Sequence, residues 1–315
     1  MTFPKRLNPM KKALLLLLIG MMASAAFCQK TELAGHLVDT QNHQPLPYGT
    51  IELFRLRTGT IANDQGAFSL AVSDLQATTD SLRFSCLGYL PFLISAGDFL
   101  ALPDKTILLQ EDHILLPDVT VVPKKYKLVT VGITSGKPES KQITNLFNSW
   151  IGNYIANKRG QTGWIRSVSY FLDKEGHPET PFRVRIFSVN PNNKFPGKDL
   201  LHENVITTAK QAGWLTVDLS NYHLPFPTEG IFVVMEWINA GDGYFYEKEM
   251  VRRGKNGEEI KEQRRFYGQA IGSLLNQPEM VTWGVTLGNQ WVPYSLYYKG
   301  YINAMIHAEI AFPAE

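Results

Sequence analysis

This sequence has few cysteines, few charged residues and a small net charge. Of its 315 residues two are cysteine, 19% are charged, and the formal net charge is only +2. An average domain has about 25% charged residues, and proteins that bind nucleic acid carry a clear excess of basic ones. The sequence therefore predicts no nucleic-acid partner. With so few cysteines, the folded domains must also be stable without a network of disulfides.

Sequence signatures of catalysis are missing as well. There is no Gly-x-Ser-x-Gly elbow and no His-Glu-x-x-His helix, and the seven histidines are scattered along the chain. These absences favour a protein that is not an enzyme and that holds no metal or cofactor. The alternative is a hydrolase whose site lies in the C-terminal region without a motif. There we single out Glu236 and Asp218 as carboxylates on neighbouring predicted strands.

The longest apolar run lies near the N-terminus and has the form of an export signal. Lys11 and Lys12 precede it, Ala13–Ile19 begins it, and Ala23–Ala26 supplies the small residues that signal peptidase needs. The run is shorter than the ~20 residues that span a bilayer. The sequence thus predicts a signal peptide over residues 1–28 and no membrane span after its removal. We expect the mature protein in the periplasm or at the outer membrane.

Two cleavage sites suit this signal, after Ala26 or after Cys28, and we prefer the second. A lipobox cysteine follows a small residue, whereas Phe27 precedes Cys28, so we expect no lipid there. Cleavage after Cys28 leaves Gln29 at the N-terminus and Cys86 as the single cysteine. One cysteine cannot form an intramolecular disulfide, and its apolar sequence neighbours favour a small buried side chain over a reactive thiol.

Short apolar stretches alternate with turn residues over residues 33–122. One turn is Asn63-Asp64-Gln65-Gly66, in which Asn and Asp cap their own backbone and Gly takes a positive φ. After it, Phe68, Leu70 and Val72 repeat at period two, as in a half-buried strand. Roughly seven such strands in about ninety residues favour a β-sandwich.

Motifs in this region also carry a family resemblance. They are Gly35…Val38-Asp39, Pro45-Leu46-Pro47-Tyr48-Gly49-Thr50-Ile51, Gly59-Thr60…Asn63-Asp64…Gly66-Ala67-Phe68, Phe84-Ser85…Gly88-Tyr89 and Leu116-Pro117-Asp118-Val119-Thr120-Val121. In this order they resemble the carboxypeptidase-regulatory-like domain, a transthyretin-like (prealbumin-like) sandwich common in exported proteins of Gram-negative bacteria. Catalysis in such carboxypeptidases belongs to a separate zinc domain. The resemblance therefore implies an envelope protein in which this module serves for docking or as a spacer.

The C-terminal region has a different pattern. Apolar residues at helical spacing predict an amphipathic helix over 143–155, although its weak helix formers leave a strand in the second half as an alternative. From residue 163 onward the pattern is β: Arg183 and Arg185 alternate with apolar neighbours, and residues 230–237 are apolar enough for a central buried strand. The highly charged residues 247–266 predict a solvated, partly flexible insertion.

These patterns together predict an all-β chain with two domains. An N-terminal transthyretin-like sandwich covers residues 29–123, a linker covers 124–140, and a second antiparallel, jelly-roll-like sandwich covers 141–315. The C-terminal strands also resemble, more loosely, non-catalytic sandwich domains of exported bacterial proteins, some of which bind carbohydrate. We therefore expect a binding or structural protein of the envelope, whose partner is an envelope protein or a glycan.

An aromatic segment near the end of the chain marks the candidate binding site. Sugars stack on exposed aromatic faces, and arginines supply hydrogen bonds to their hydroxyl groups. The candidate ligand-binding residues are Arg183, Arg185, Trp291, Tyr294, Tyr297 and Tyr298. The simpler interpretation is that these aromatic side chains fill the core and rim of a sandwich, with their polar tips at the surface.

The export signal provides a first test. In a Gram-negative host, the exported protein is expected to begin at Gln29, because the small residues of the signal lie just before that position. Intact-mass spectrometry of the exported protein measures this, with Cys28→Ser as the matched control. The prediction would be contradicted if the mature protein retained an acylated Cys28 and the Cys28→Ser protein carried no acyl group.

Overall fold

The protein has an all-β fold of sandwich type, as predicted. The computed structural model describes residues 31–56, 58–73, 80–112, 125–134, 136–145, 149–238, 240, 242–253, 256–286, 290–294 and 300–314. The described strands form four sheets, two in each half of the chain. The predicted signal peptide and the motif at residues 116–121 lie outside the described residues. Within the described part of the chain, no helix has the length and apolar character to cross a membrane.

The first half of the chain folds into two facing sheets around one core. Its elements are β1 (Thr31–Asp39), β2 (Thr50–Leu53), β3 (Thr58–Ile61), β4 (Ala67–Val72), β5 (Ser81–Ser85), β6 (Phe92–Ser95), helix α1 (Ala96–Ala101) and β7 (Thr106–Leu109). One sheet has the order β4–β1–β7 and the other β3–β2–β5–β6. Leu37, Ile51, Phe84 and Phe99 are fully buried between them. We call residues 31–112 the N-terminal sandwich.

The predicted turn at Asn63–Gly66 is confirmed. The Asn63 side-chain oxygen accepts hydrogen bonds from the backbone N–H of Gln65 at 2.9 Å and of Ala67 at 3.0 Å. Gly66 has a φ of 70°, and a Cβ there would lie 2.5 Å from the carbonyl oxygen of Leu37. Both the backbone angle and the close approach therefore require glycine.

The second half of the chain builds two larger sheets. Its strands are β8 (Tyr126–Gly132), β9 (Ser140–Thr144), β10 (Trp150–Ile155), β11 (Gly163–Gly176), β12 (Phe182–Val189), β13 (Pro196–Asp199), β14 (Val205–Thr207), β15 (Gly213–Asp218), β16 (Pro225–Phe226), β17 (Ile231–Trp237), β18 (Phe245–Arg253), β19 (Glu259–Gln277), β20 (Thr282–Thr286), β21 (Gln290–Pro293), β22 (Tyr301–Ala304) and β23 (Ile306–Pro313), with 3-10 turns at Ser220–Tyr222 and Asp242–Tyr244. A seven-stranded sheet has the order β13–β12–β17–β10–β20–β21, with β14 beside β12. A nine-stranded sheet has the order β18–β19–β11–β23–β8, with β9, β15, β16 and β22 attached. We call residues 125–314 the C-terminal sandwich.

The seven-stranded sheet has two different faces. Phe182, Val184 and Ile186 point inward to the core shared with the nine-stranded sheet, so Arg183 and Arg185 lie on the opposite face, as the alternation predicted. The prediction of a central buried strand is confirmed too, because every residue of β17 is buried. We call the face that carries the two arginines the outer face.

The helix predicted over residues 143–155 is wrong. Residues 140–144 form β9, and Trp150–Ile155 form β10, which pairs with β17 on one side and β20 on the other. Ile151 and Ile155 are buried in the core between the sheets. Pairing with two neighbouring strands thus outweighs the helical spacing of the apolar residues, and the alternative of a strand in the second half is confirmed.

Two other segments are more regular than expected. Residues 126–132, within the predicted linker, form β8 and pair with β23 at the edge of the nine-stranded sheet. The charged residues predicted as a partly flexible insertion form the hairpin of β18 and β19. Most side chains of residues 247–265 are exposed, so the prediction of a solvated segment is confirmed, and its partial flexibility stays a prediction.

The core of the N-terminal sandwich is tested by Phe84→Ala. Phe84 is fully buried, and its ring lies 5.6 and 5.7 Å from those of Phe68 and Phe99. The substitution is expected to lower the free energy of unfolding by about 3–5 kcal/mol through lost burial and a cavity. The matched control is Phe92→Ala on the adjacent strand, where the ring is 40% exposed. Urea titration followed by circular dichroism measures both, and equal losses would contradict the burial of Phe84.

Candidate binding site

The two sandwiches meet through hydrogen bonds to one loop of the N-terminal sandwich. The Arg183 guanidinium donates a hydrogen bond from Nη2 to the carbonyl oxygen of Tyr48, and the Asn204 amide donates to the carbonyl oxygen of Pro47 at 3.4 Å. Tyr48 has a φ of 58°, in the left-handed region that is uncommon for residues other than glycine. This loop conformation presents successive carbonyl groups to the C-terminal sandwich.

A cavity of about 520 Å³ lies beside this contact. Its wall on the N-terminal sandwich includes Glu52, Arg83, Cys86, Tyr89 and Asp112, and its wall on the C-terminal sandwich includes Trp150, Arg183, Arg185, Lys198, Asp199 and Glu236. We call this cavity the interface cleft. Its volume is within the ~300–1,000 Å³ of small-molecule sites, and both sandwiches contribute charged side chains to it.

The C-terminal wall of the interface cleft is a buried network of charges. Arg183 lies opposite Glu236 in the pairing of β12 with β17, and its Nη1 donates to both carboxylate oxygens at 3.1 and 3.3 Å. Arg185 donates from Nη1 to Glu236 at 3.5 Å and from Nε to Asp199 at 2.7 Å. Glu236 is 1% exposed and Arg183 4%. Mutual pairing therefore holds the side chains in fixed positions while satisfying charges that burial would otherwise penalise.

Ionisation in the interface cleft follows from this pairing. Burial by itself lowers the pKa of the Arg185 guanidinium, but the carboxylates of Asp199 and Glu236 outweigh it, so the pKa is raised. Burial also raises the pKa of the Cys86 thiol. Arg185 is therefore held in its charged form, whereas Cys86 is kept as a neutral thiol and is a poor nucleophile.

Aromatic rings continue from the charged network across the outer face. Strand register places Arg183, Glu236, Trp150, Val285 and Trp291 in one row over five strands. Arg185 lies 4.4 Å from the centre of the Trp150 ring, a cation–π distance. Six rings form what we call the aromatic shelf: Trp150, Phe187, Phe195, Phe232, Trp283 and Trp291. A single surface thus changes from charged to aromatic along its length.

The aromatic shelf is continuous and partly exposed. Trp291 packs against Trp150 at 5.7 Å and against Phe187 at 5.6 Å between ring centres. Phe195, 39% exposed, lies 4.9 Å from Trp283. Trp150, Trp283 and Trp291 are each half-buried. Aromatic rings with one covered side and one accessible side can pack against a ligand without prior rearrangement.

Two nitrogen atoms at the interface cleft are buried without a hydrogen-bond partner among the described residues. They are Nε of Arg183 and Nε1 of Trp150, and both side chains line the cleft. Buried donors are normally paired with a protein group, water or a ligand. Within the described residues, no group of three or more His, Cys, Asp or Glu side chains is arranged to hold a metal ion.

The structure brings together part of the predicted site. Arg183 and Arg185 line the interface cleft, and Trp291 belongs to the adjoining aromatic shelf. Tyr294 packs beside Gly284 of β20 instead, and burial raises the pKa of its phenol. Tyr297 and Tyr298 lie outside the described residues. The assignment of these residues to ligand binding stays a prediction.

The carboxylate pair named from the sequence is wrong. Asp218 ends β15 in the nine-stranded sheet, whereas Glu236 is on β17 in the seven-stranded sheet, and Asp218 is exposed. Glu236 instead lies beside Asp199 through their shared partner Arg185. Asp199, Lys198 and Trp150 were not predicted as site residues from the sequence. Trp150 lies in the apolar stretch that was predicted as a helix, and its place in that stretch was the signal that could have found it.

The buried network is tested by Glu236→Gln. The amide has nearly the same shape but no charge, so the buried Arg183 and the half-buried Arg185 are left with Asp199 as their one nearby carboxylate on this wall. The free energy of unfolding is expected to fall by about 3–5 kcal/mol. The control is Glu262→Gln, since Glu262 is 47% exposed in its pair with Arg264 and its loss should cost less than about 1 kcal/mol. Urea denaturation measures both, and a stable Glu236→Gln protein would refute the structural role of the network.

Comparisons with known proteins find only distant structural similarity. No protein-family model and no curated protein matches the sequence. The chain is similar to the cysteine protease and lectin-like domains of Cwp84, a surface-layer-associated protein of Clostridium difficile, with 14% identity, a TM-score of 0.40, and coverage of 91% of this chain and 64% of that chain. A second Cwp84 structure, a variant after propeptide cleavage, has 14% identity and a TM-score of 0.37, with 91% and 72% covered. Likenesses this weak assign neither a family nor a function.

Proposed function

We propose that this chain is an exported, non-enzymatic binding protein of the bacterial envelope, and that its ligand is a carbohydrate. The ligand lies in the interface cleft and extends over the aromatic shelf. The observation that carries the proposal is the row across the outer face, in which fixed charged groups continue directly into half-buried aromatic rings. A sugar presents both hydroxyl groups and apolar ring faces, and this row offers a surface for each.

Fixed polar groups favour binding of hydroxyl-rich ligands. Arg185, Asp199 and Glu236 are held by one another, so little side-chain freedom is lost when a ligand arrives. On the opposite wall, Arg83 donates to Glu52 at 3.1 Å. Sugar hydroxyl groups both donate and accept hydrogen bonds, and the two walls supply groups of both kinds.

The aromatic shelf supplies the second half of the interaction. Trp283, Trp291 and Phe195 each keep an exposed portion, and they rest on rings already packed beneath them. The C–H face of a pyranose packs on such rings, and the rigid support limits the entropy lost on binding. This arrangement suits a chain of several sugar units better than one isolated ring.

The N-terminal sandwich has a direct part in this proposal. The sequence predicted it as a docking or spacer module, and its Glu52, Arg83 and Tyr89 also form one wall of the interface cleft. We propose that it closes the site on one side as well as linking the protein to its neighbours in the envelope. The export signal in the sequence supports a location in the periplasm or at the outer membrane.

Binding is favoured over hydrolysis by the state of the carboxylates. A glycoside hydrolase uses a pair of carboxyl groups, one to transfer a proton and one as base or nucleophile. In the interface cleft, Glu236 accepts hydrogen bonds from two arginines and Asp199 from one. These hydrogen bonds occupy lone pairs that a base or nucleophile would use, which opposes that role, although burial raises the pKa of Asp199 despite its pairing with Arg185.

Carbohydrate binding is tested by isothermal titration calorimetry against a panel of mono- and oligosaccharides. At least one glycan is expected to bind, and Trp291→Ala is expected to weaken it by about tenfold, as for loss of one stacked ring in a packed contact. The control is Trp214→Ala, since Trp214 is 38% exposed on the nine-stranded sheet, away from the outer face. Absence of binding at millimolar concentration for the whole panel, or equal losses in the two variants, would overturn the proposal.

A further inference from the structure

We infer that the carbohydrate is acidic: it carries a carboxylate that binds in the interface cleft at Arg183 and Lys198, while its other units lie on the aromatic shelf. This inference rests on the proposed function and adds the chemical class of the ligand. It is carried by an excess of hydrogen-bond donors on the C-terminal wall.

The charges on the C-terminal wall do not balance. It contains the three cations Arg183, Arg185 and Lys198 and the two carboxylates Asp199 and Glu236. The opposite wall has Arg83 against Glu52 and Asp112, so the cleft as a whole has four of each and the surplus of cations is local to the C-terminal wall. Both carboxylates are engaged with arginine. An anionic group from a ligand would complete this wall.

The unpaired atoms at this wall are donors. Nε of Arg183 and Nε1 of Trp150 are buried N–H groups without partners among the described residues. Arg183 is 4% exposed, so neither bulk water nor a ligand reaches its guanidinium without a movement of neighbouring side chains in the cleft. A carboxylate only accepts hydrogen bonds, whereas each hydroxyl of a neutral sugar also brings a hydrogen that needs an acceptor. Because the acceptors on this wall are engaged, a carboxylate matches it better than a hydroxyl does.

Lys198 is placed to bind the same group. Its side chain is exposed and forms no ion pair among the described residues, yet it lines the interface cleft. Its backbone is fixed, because its N–H donates to the Ser188 hydroxyl at 3.0 Å and its carbonyl accepts from that hydroxyl at 3.3 Å. A flexible ammonium group on a fixed strand can follow an anion into the cleft without disturbing the buried network.

The shape of the surface gives the orientation of the ligand. Charged groups are concentrated at the interface cleft, and the rings of the aromatic shelf extend from Trp150 toward Trp291 and Trp283. The acidic unit therefore lies between the sandwiches, and neutral or apolar faces of further units lie on the shelf.

Isothermal titration calorimetry of the full mature chain compares each hexuronic acid with the neutral hexose of the same configuration. Glucuronate, galacturonate and mannuronate are tested against glucose, galactose and mannose, and glucose 6-phosphate distinguishes a phosphate from a carboxylate. At least one uronate is expected to bind about tenfold more tightly than its neutral counterpart, the effect of one charge-assisted hydrogen bond. Raising the salt from about 0.05 to about 0.5 M should reduce this preference by screening.

Two lysine variants make the test specific. K198Q is expected to reduce the preference for the uronate by about threefold or more, whereas K194Q, an exposed lysine on the same hairpin that does not line the interface cleft, should leave it unchanged. Equal affinity for acidic and neutral sugars would overturn the inference while the proposed function stands. Tighter binding of glucose 6-phosphate than of every uronate would overturn the carboxylate assignment. Failure of all sugars to bind would overturn the inference together with the proposed function.

Discussion

One buried carboxylate, that of Glu236, organises the region where the two sandwiches meet. It lies on the central strand of the seven-stranded sheet, and Arg183 and Arg185 both donate to it. Removing charges from water is costly unless they are paired, so the position of Glu236 determines where both guanidinium groups lie. Arg183 then has an Nη2 left to hydrogen-bond to Tyr48, which joins the sandwiches beside the cleft. The domain contact and the polar wall of the cavity thus depend on the same ion pairs.

The two faces of the seven-stranded sheet have different compositions. The inner face is mostly apolar and packs on the nine-stranded sheet, with the buried Asn153 and Thr282 hydrogen-bonded to each other and to the backbone of Ala304. The outer face carries the arginines, Glu236 and the aromatic shelf. Since side chains alternate along every strand, the register that buries Phe182 and Val184 also aligns Arg183 with Glu236. A shift by one residue would expose the core and disrupt the row at the same time, so folding of the core fixes the geometry of the site.

Sequence reasoning recovered the features that depend on local pattern and missed those that depend on distant contacts. Period-two alternation predicted the two faces of β12, and turn chemistry predicted the conformation at Asn63–Gly66. The strand at Trp150–Ile155 was obscured by helical spacing, because its conformation is decided by pairing with strands far away in the chain. Asp199 and Lys198 follow a turn-rich loop and gave no signal of their own. Their importance arises only from the pairing of β13 with β12, a contact that no local pattern reports.

The walls of the interface cleft belong to two sandwiches with separate hydrophobic cores. Glu52 and Arg83 pair across β2 and β5 of one core, and Arg183 and Glu236 pair across β12 and β17 of the other. Substitutions on one wall can therefore accumulate without disturbing the packing that supports the other. In evolutionary terms the two walls are separable, because exchange of the N-terminal sandwich would replace one wall of the interface cleft and leave the aromatic shelf intact. The lining of the cavity can therefore change by recombination of whole modules as well as by point mutation.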